Sequence, residues 1–76
     1  MKRYQFHILF RPEPEGGYTA IVPSLPGCVT YGKTIEIAQK MAEEAIEAYL
    51  ESVALERESV HDDRRSFILT QEISYA

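Results

Sequence analysis

One cysteine, Cys28, leaves this 76-residue chain without any possible intramolecular disulfide, as expected in a reducing compartment. Nor does any run approach the roughly 20 apolar residues of a membrane span. The opening Met1-Lys2-Arg3-Tyr4-Gln5-Phe6-His7 is positive but lacks the continuous apolar stretch and small-residue cleavage site of a secretory signal. Together these absences predict a cytoplasmic protein. Basic charge is short as well. Eight Lys and Arg face twelve Asp and Glu, for a net charge of −4, and the basic residues are scattered. Phosphate backbones attract clustered cations, so direct nucleic-acid binding is disfavoured. A basic protein partner suits the charge better. Asparagine is absent altogether, a depletion that fits a heat-adapted source.

The length allows one domain, residues 1–76, and a domain this small buries only about 60% of its unfolded surface. Self-association would add burial that the chain cannot supply alone. Apolar residues make up 45% and charged residues 26%, which excludes wholesale disorder.

Tyr4, Phe6, Ile8 and Phe10 alternate with Arg3, Gln5, His7 and Arg11, the period of a half-buried strand. Leu9 is the apolar exception on the outward face. Pro12-Glu13-Pro14-Glu15-Gly16-Gly17 reads as a turn, with Glu13 and Glu15 solvated, and Tyr18 to Val22 as the returning strand. Pro23-Ser24-Leu25-Pro26-Gly27 cannot join a ladder. Cys28 to Tyr31 is a third short strand, broken by Gly32.

Thr34 can cap a helix, although Ile37 stands where a full capping box needs Glu or Gln. From there the apolar spacing changes to three and four. Ile35, Ala38, Ala42, Ala45, Ile46, Tyr49 and Val53 form one stripe, and the helix runs to about Leu55, with Glu58 as its outer limit. Ser59 to Ser66 is a polar loop. Phe67 to Ile73 reads as a last strand, with Phe67, Leu69 and Ile73 on one face and Ile68 on the other.

The predicted fold is therefore α+β in the order β-β-β-α-β. A three-stranded antiparallel meander is joined by a fourth strand, parallel to the first and beside it. The helix covers one face of the sheet. The opposite face is left open, which is the physical reason to expect a partner or a dimer.

The run Tyr18-Thr19-Ala20-Ile21-Val22-Pro23-Ser24-Leu25-Pro26-Gly27-Cys28-Val29-Thr30-Tyr31-Gly32-Lys33-Thr34 resembles the HicB family of antitoxins. There a strand ends in Val-Pro, Leu-Pro-Gly-Cys follows, and a Gly-Asp-Thr turn opens an Ala/Glu-rich helix. Ser24 and Lys33 depart from positions where the family often has acids, and Lys33 modestly opposes the positive helix start. The resemblance implies a trimmed ribonuclease-H-like fold without the catalytic carboxylates. It also implies binding to HicA, a small basic toxin that cleaves messenger RNA. Many members carry a C-terminal DNA-binding module. The expectation here is a solitary HicB-like domain without one.

Glu43, Glu47 and Glu51 lie four apart on one helix face, spaced to attract a basic toxin or simply to stay solvated. Pro23, Leu25 and Pro26 form a rigid connection that could present Leu25, or could only link two strands. These six are the candidate protein-binding residues. His61-Asp62-Asp63 lacks a third convincing metal ligand, and Cys28 lacks a neighbouring base. The first strand has no carboxylate to hold a divalent ion for nuclease chemistry. The reading is of no catalytic residue, no metal and no cofactor. The predicted role is an antitoxin-like module in a homodimer or higher oligomer. The alternative is a stand-alone regulatory or ligand-binding domain without a toxin.

Overall fold

The structure is a computed structural model that describes residues 3–56 and 59–76. Strands β1 (Leu9–Pro12), β2 (Tyr18–Ile21) and β3 (Val29–Gly32) form an antiparallel meander in the order β1-β2-β3, and helix α1 (Ile35–Glu56) follows. The extension of the helix to Glu58 lies outside the described residues.

The register sorts the two faces. Phe10, Ala20 and Thr30 stand side by side across the sheet, as do Leu9, Ile21 and Val29. Neighbouring rows point to opposite faces. The first row meets the helix: Ala20, Ala38 and Ala42 are fully buried, with Val22, Leu25 and Cys28 around them. Phe6, Ile8, Phe10, Tyr18, Ala45, Ile46 and Tyr49 pack against this centre. Small alanines on both sides let the helix backbone lie close to the strands. The second row has no layer over it. Leu9, Val29 and Tyr31 are 49%, 56% and 50% exposed. Of the predicted helix stripe, Ile35 departs. It is exposed because it occupies the first helical position, beyond the sheet.

Two local devices fix the helix start. Thr34 Oγ1 accepts the Ile37 amide at 3.1 Å, as an N-cap should. Gly32 ends β3 directly beneath the first turn. A Cβ there would lie 2.7 Å from the Cα of Ala38, so only glycine permits this approach.

β1 differs from its expected span of Tyr4 to Phe10. β2 stops at Ile21, ahead of Pro23, so residues 4–8 project past the end of their neighbour. A corner at Asp62 and Asp63 takes β2's place beside them. Gln5 and His7 donate their amides to the carboxylates of Asp62 (3.0 Å) and Asp63 (2.9 Å), and the Asp63 amide donates to the Gln5 carbonyl at 2.7 Å. Glu13 is not simply solvated, as the sequence predicts. It is half-buried and accepts from the Thr19 hydroxyl and from Arg11, which ties the hairpin loop to both strands.

The edge of β1 follows from the ladder. The Glu13 amide donates to the Gly17 carbonyl, so the odd residues Leu9, Arg11 and Glu13 turn their backbone groups towards β2. Ile8, Phe10 and Pro12 therefore turn theirs to the outer edge. Pro12, having no N–H, sits where an edge strand tolerates it.

The fourth strand is not formed, which corrects the β-β-β-α-β order to β-β-β-α among the described residues. A strand exists only by pairing, and residues 67–76 have no strand partner among the described residues. Phe67, Leu69, Ile73 and Tyr75 are 88%, 75%, 75% and 97% exposed.

Candidate protein-binding site

The loop from Val22 to Cys28 consists of two successive turns. The Leu25 amide donates to the Val22 carbonyl, and the Cys28 amide donates to the Leu25 carbonyl. Pro23 leads the first turn and Pro26 the second. Gly27, at φ 80°, supplies the left-handed residue that a Pro-Gly type II turn requires. The Val22 amide, donating to the Cys28 carbonyl, closes the base. Leu25 belongs to both turns and points inward, only 3% exposed. Of the two readings of this loop, presentation of Leu25 does not fit its burial: Leu25 anchors the loop, and Pro23 and Pro26 form its exposed rim.

Glu43, Glu47 and Glu51 are all exposed on α1. Glu43 and Glu47, with Lys40 and Glu44, border an open groove whose floor is Tyr4, Phe6 and Ile46. Tyr4 and Phe6 sit two apart on one face of the chain, and their rings stack with centroids 6.2 Å apart. Pro26 instead lines a shallow hollow with Cys28, Val29, Ala45 and Tyr49. The helix separates the two places. The six candidate residues therefore do not form one surface. The aromatic pair beside the acids was missed as a site element, because its alternation in the sequence signals only a strand.

Asp63, considered with His61 and Asp62 only as a metal ligand, has a structural role that the sequence reading did not include. It is 8% exposed, and its carboxylate accepts from the Ser24 hydroxyl and the His7 amide. These donors, the hydroxyl foremost, hold its pKa below the ordinary carboxylate value. Asp62 is lowered chiefly by the Gln5 amide. Asp63 thus clamps the loop to the segment before β1, and Asp62 ties its own corner to that segment. The His7 ring reaches the Ser66 carbonyl at 2.9 Å, extending the same seam. Adjacent aspartates before a pair of arginines were the only hint in the sequence.

Burial raises the pKa of the Cys28 thiol, which keeps it protonated and poorly nucleophilic. Among the described residues, no three His, Cys, Asp or Glu side chains converge to hold a metal ion. Among the same residues, no helix is long and apolar enough to cross a membrane. What the arrangement offers is an acid-rimmed aromatic groove, a rigid double turn and an uncovered sheet face.

Comparison with known proteins agrees with the resemblance seen in the sequence. Residues 6–75 match the family described as HicB_like antitoxin of bacterial toxin-antitoxin system. A UPF0150 protein of Synechocystis is 42% identical over 75% of this chain and 72% of its own. A second UPF0150 protein, from Helicobacter pylori, is 40% identical over 82% of this chain and 86% of its own. One from Thermoplasma acidophilum is 37% identical over 78% and 86%. With a match running from the first strand through the tail, the chain belongs to the HicB-like antitoxin family.

Proposed function

We propose that this chain is a cytoplasmic antitoxin module that neutralises a small basic toxin of HicA type by covering its active surface. The groove between the helix and the first strand carries the reading. Its floor presents the stacked rings of Tyr4 and Phe6, and its rim carries Glu43 and Glu47. A lysine or arginine laid there meets carboxylates and aromatic faces together, each favourable to a cation. Glu51 extends the acidic row by one turn. Pro23 and Pro26 offer a second, rigid contact on the other flank of the helix. The mechanism is occlusion, and no residue of this chain performs chemistry in it. Nucleic acid is not contacted directly. The module works as a homodimer or higher oligomer, because Leu9, Val29 and Tyr31 leave one sheet face uncovered.

The test uses a HicA-type toxin purified with this chain and an RNA-cleavage assay. The native chain suppresses cleavage. The triple variant E43K/E47K/E51K keeps its helix but associates about 10–100-fold more slowly at low salt, and the difference shrinks as salt rises. Unchanged affinity and rate remove the acidic groove from the interface. Failure of the native chain to bind any such toxin removes the function.

A further inference from the structure

We propose that residues 67–75 of one chain form the missing fourth strand on the outer edge of β1 in a second copy, and that two copies make this exchange reciprocally. The inference rests on the self-association read above and places it at the β1 edge, not on the uncovered sheet face.

Three observations meet here. The first is the tail. Phe67, Leu69, Ile73 and Tyr75 alternate with Ile68, Thr70, Glu72 and Ser74, so one face of an extended tail is apolar except for Gln71. Those four side chains are 75–97% exposed, far beyond what isolated surface residues need. The radius of gyration, 14.5 Å, exceeds the roughly 11 Å of a compact domain this size, as a projecting tail requires.

The second observation is the edge. Ile8 and Phe10 direct their backbone groups away from β2, and among the described residues no strand lies beside them. Residues 4–8 have a strand's alternation but no strand partner among the described residues. The groove floor of Tyr4, Phe6 and Ile46 lies along this same flank. It can receive the apolar face of an added strand, while the carboxylates stay at its solvent rim. Nine extended residues reach about 30 Å, enough to follow the edge from Phe6 to Pro12.

The third is where the tail departs. Ser66 is tied to His7, and the Asp62–Asp63 corner lies in line with β2. The tail thus leaves on the inner side of its own first strand. To reach its own outer edge it would have to cross that strand. A second copy related by a twofold axis near β1 presents its edge without such a crossing, and the exchange closes with two chains.

The experiment compares the native chain with L69E/I73E by sedimentation and amide hydrogen exchange, with no toxin present. Neither side chain belongs to the core, so the helical circular dichroism of the variant stays native. The native chain is expected to sediment as a dimer with slow exchange at Ile8 and Phe10. The variant is expected to be monomeric, with exchange at those two amides faster by about tenfold or more. A dimer that persists in the variant, or edge amides that exchange equally in both, overturns the strand exchange while leaving self-association intact. A native chain that is monomeric at hundred-micromolar concentration overturns both. The added strand and a toxin's cation would both use the floor of Tyr4 and Phe6, so toxin binding is measured separately, and its loss with the dimer intact removes the toxin reading alone.

Discussion

Replacing Asp63 with alanine tests the seam that organises the first strand. The carboxylate is nearly buried and serves two donors, the Ser24 hydroxyl and the His7 amide. Hydrogen bonds to a charged acceptor contribute about 1.5–3 kcal/mol each. The sum is smaller here, because the His7 amide is only partly buried and water can replace part of what it loses. The expected cost is about 2 kcal/mol, a large fraction of the roughly 4–11 kcal/mol that a domain of this length possesses. At about 4–8 °C per kcal/mol, the melting temperature falls by about 8–16 °C. Thermal unfolding followed by circular dichroism reads this directly. Asp63→Asn, which keeps one acceptor oxygen, loses about half as much. The effect also carries a pH signature. The pKa of Asp63 is lowered in the folded chain, so its stabilisation is complete above the ordinary carboxylate range and is lost as pH falls through the lowered folded value. The native chain weakens with acid across that window, and D63A shows a shallower slope there. A D63A variant that melts within about 2 °C of the native chain, or with an unaltered acid slope, refutes the clamp.

Three further substitutions probe the turns and the core. Gly32→Ala drives a methyl into the backbone of Ala38, and overpacking of this kind costs about 1–3 kcal/mol; Gly27→Ala meets nothing within 4 Å and bears only its left-handed backbone strain, about 1 kcal/mol, so the ranking of the two melting temperatures decides whether close approach governs the strand end. Thr30→Val removes a buried hydroxyl that has no hydrogen-bond partner and should raise stability by about 1 kcal/mol, seen as a higher urea midpoint at constant slope.

The helix and the meander were legible because their signals are local. Thr34 announces the cap, and the shift from period two to three-and-four spacing announces the helix; both are properties of a few neighbouring residues. The fate of Leu25 was not legible. Its two turns are each readable from Pro-Ser and Pro-Gly, but sharing one residue between them is what turns the side chain inward. The same holds for Asp63, whose partners are 39 and 56 positions away. The tail is the opposite case. Its alternation reads as a strand, yet a strand needs a neighbour, and residues 67–76 pair with none of the described residues. The acidic residues of the helix were found as charges. Their conjunction with Tyr4 and Phe6 depends on how the first strand passes the helix, which no spacing encodes.

Pro12 occupies the last outward-facing position of β1, and it has no hydrogen to donate. A guest strand advancing along that edge loses a rung there and gains nothing by sliding further. The defect sets a stop for alignment, so one pairing is preferred over its shifted neighbours. It also makes the rim a poor template for endless stacking.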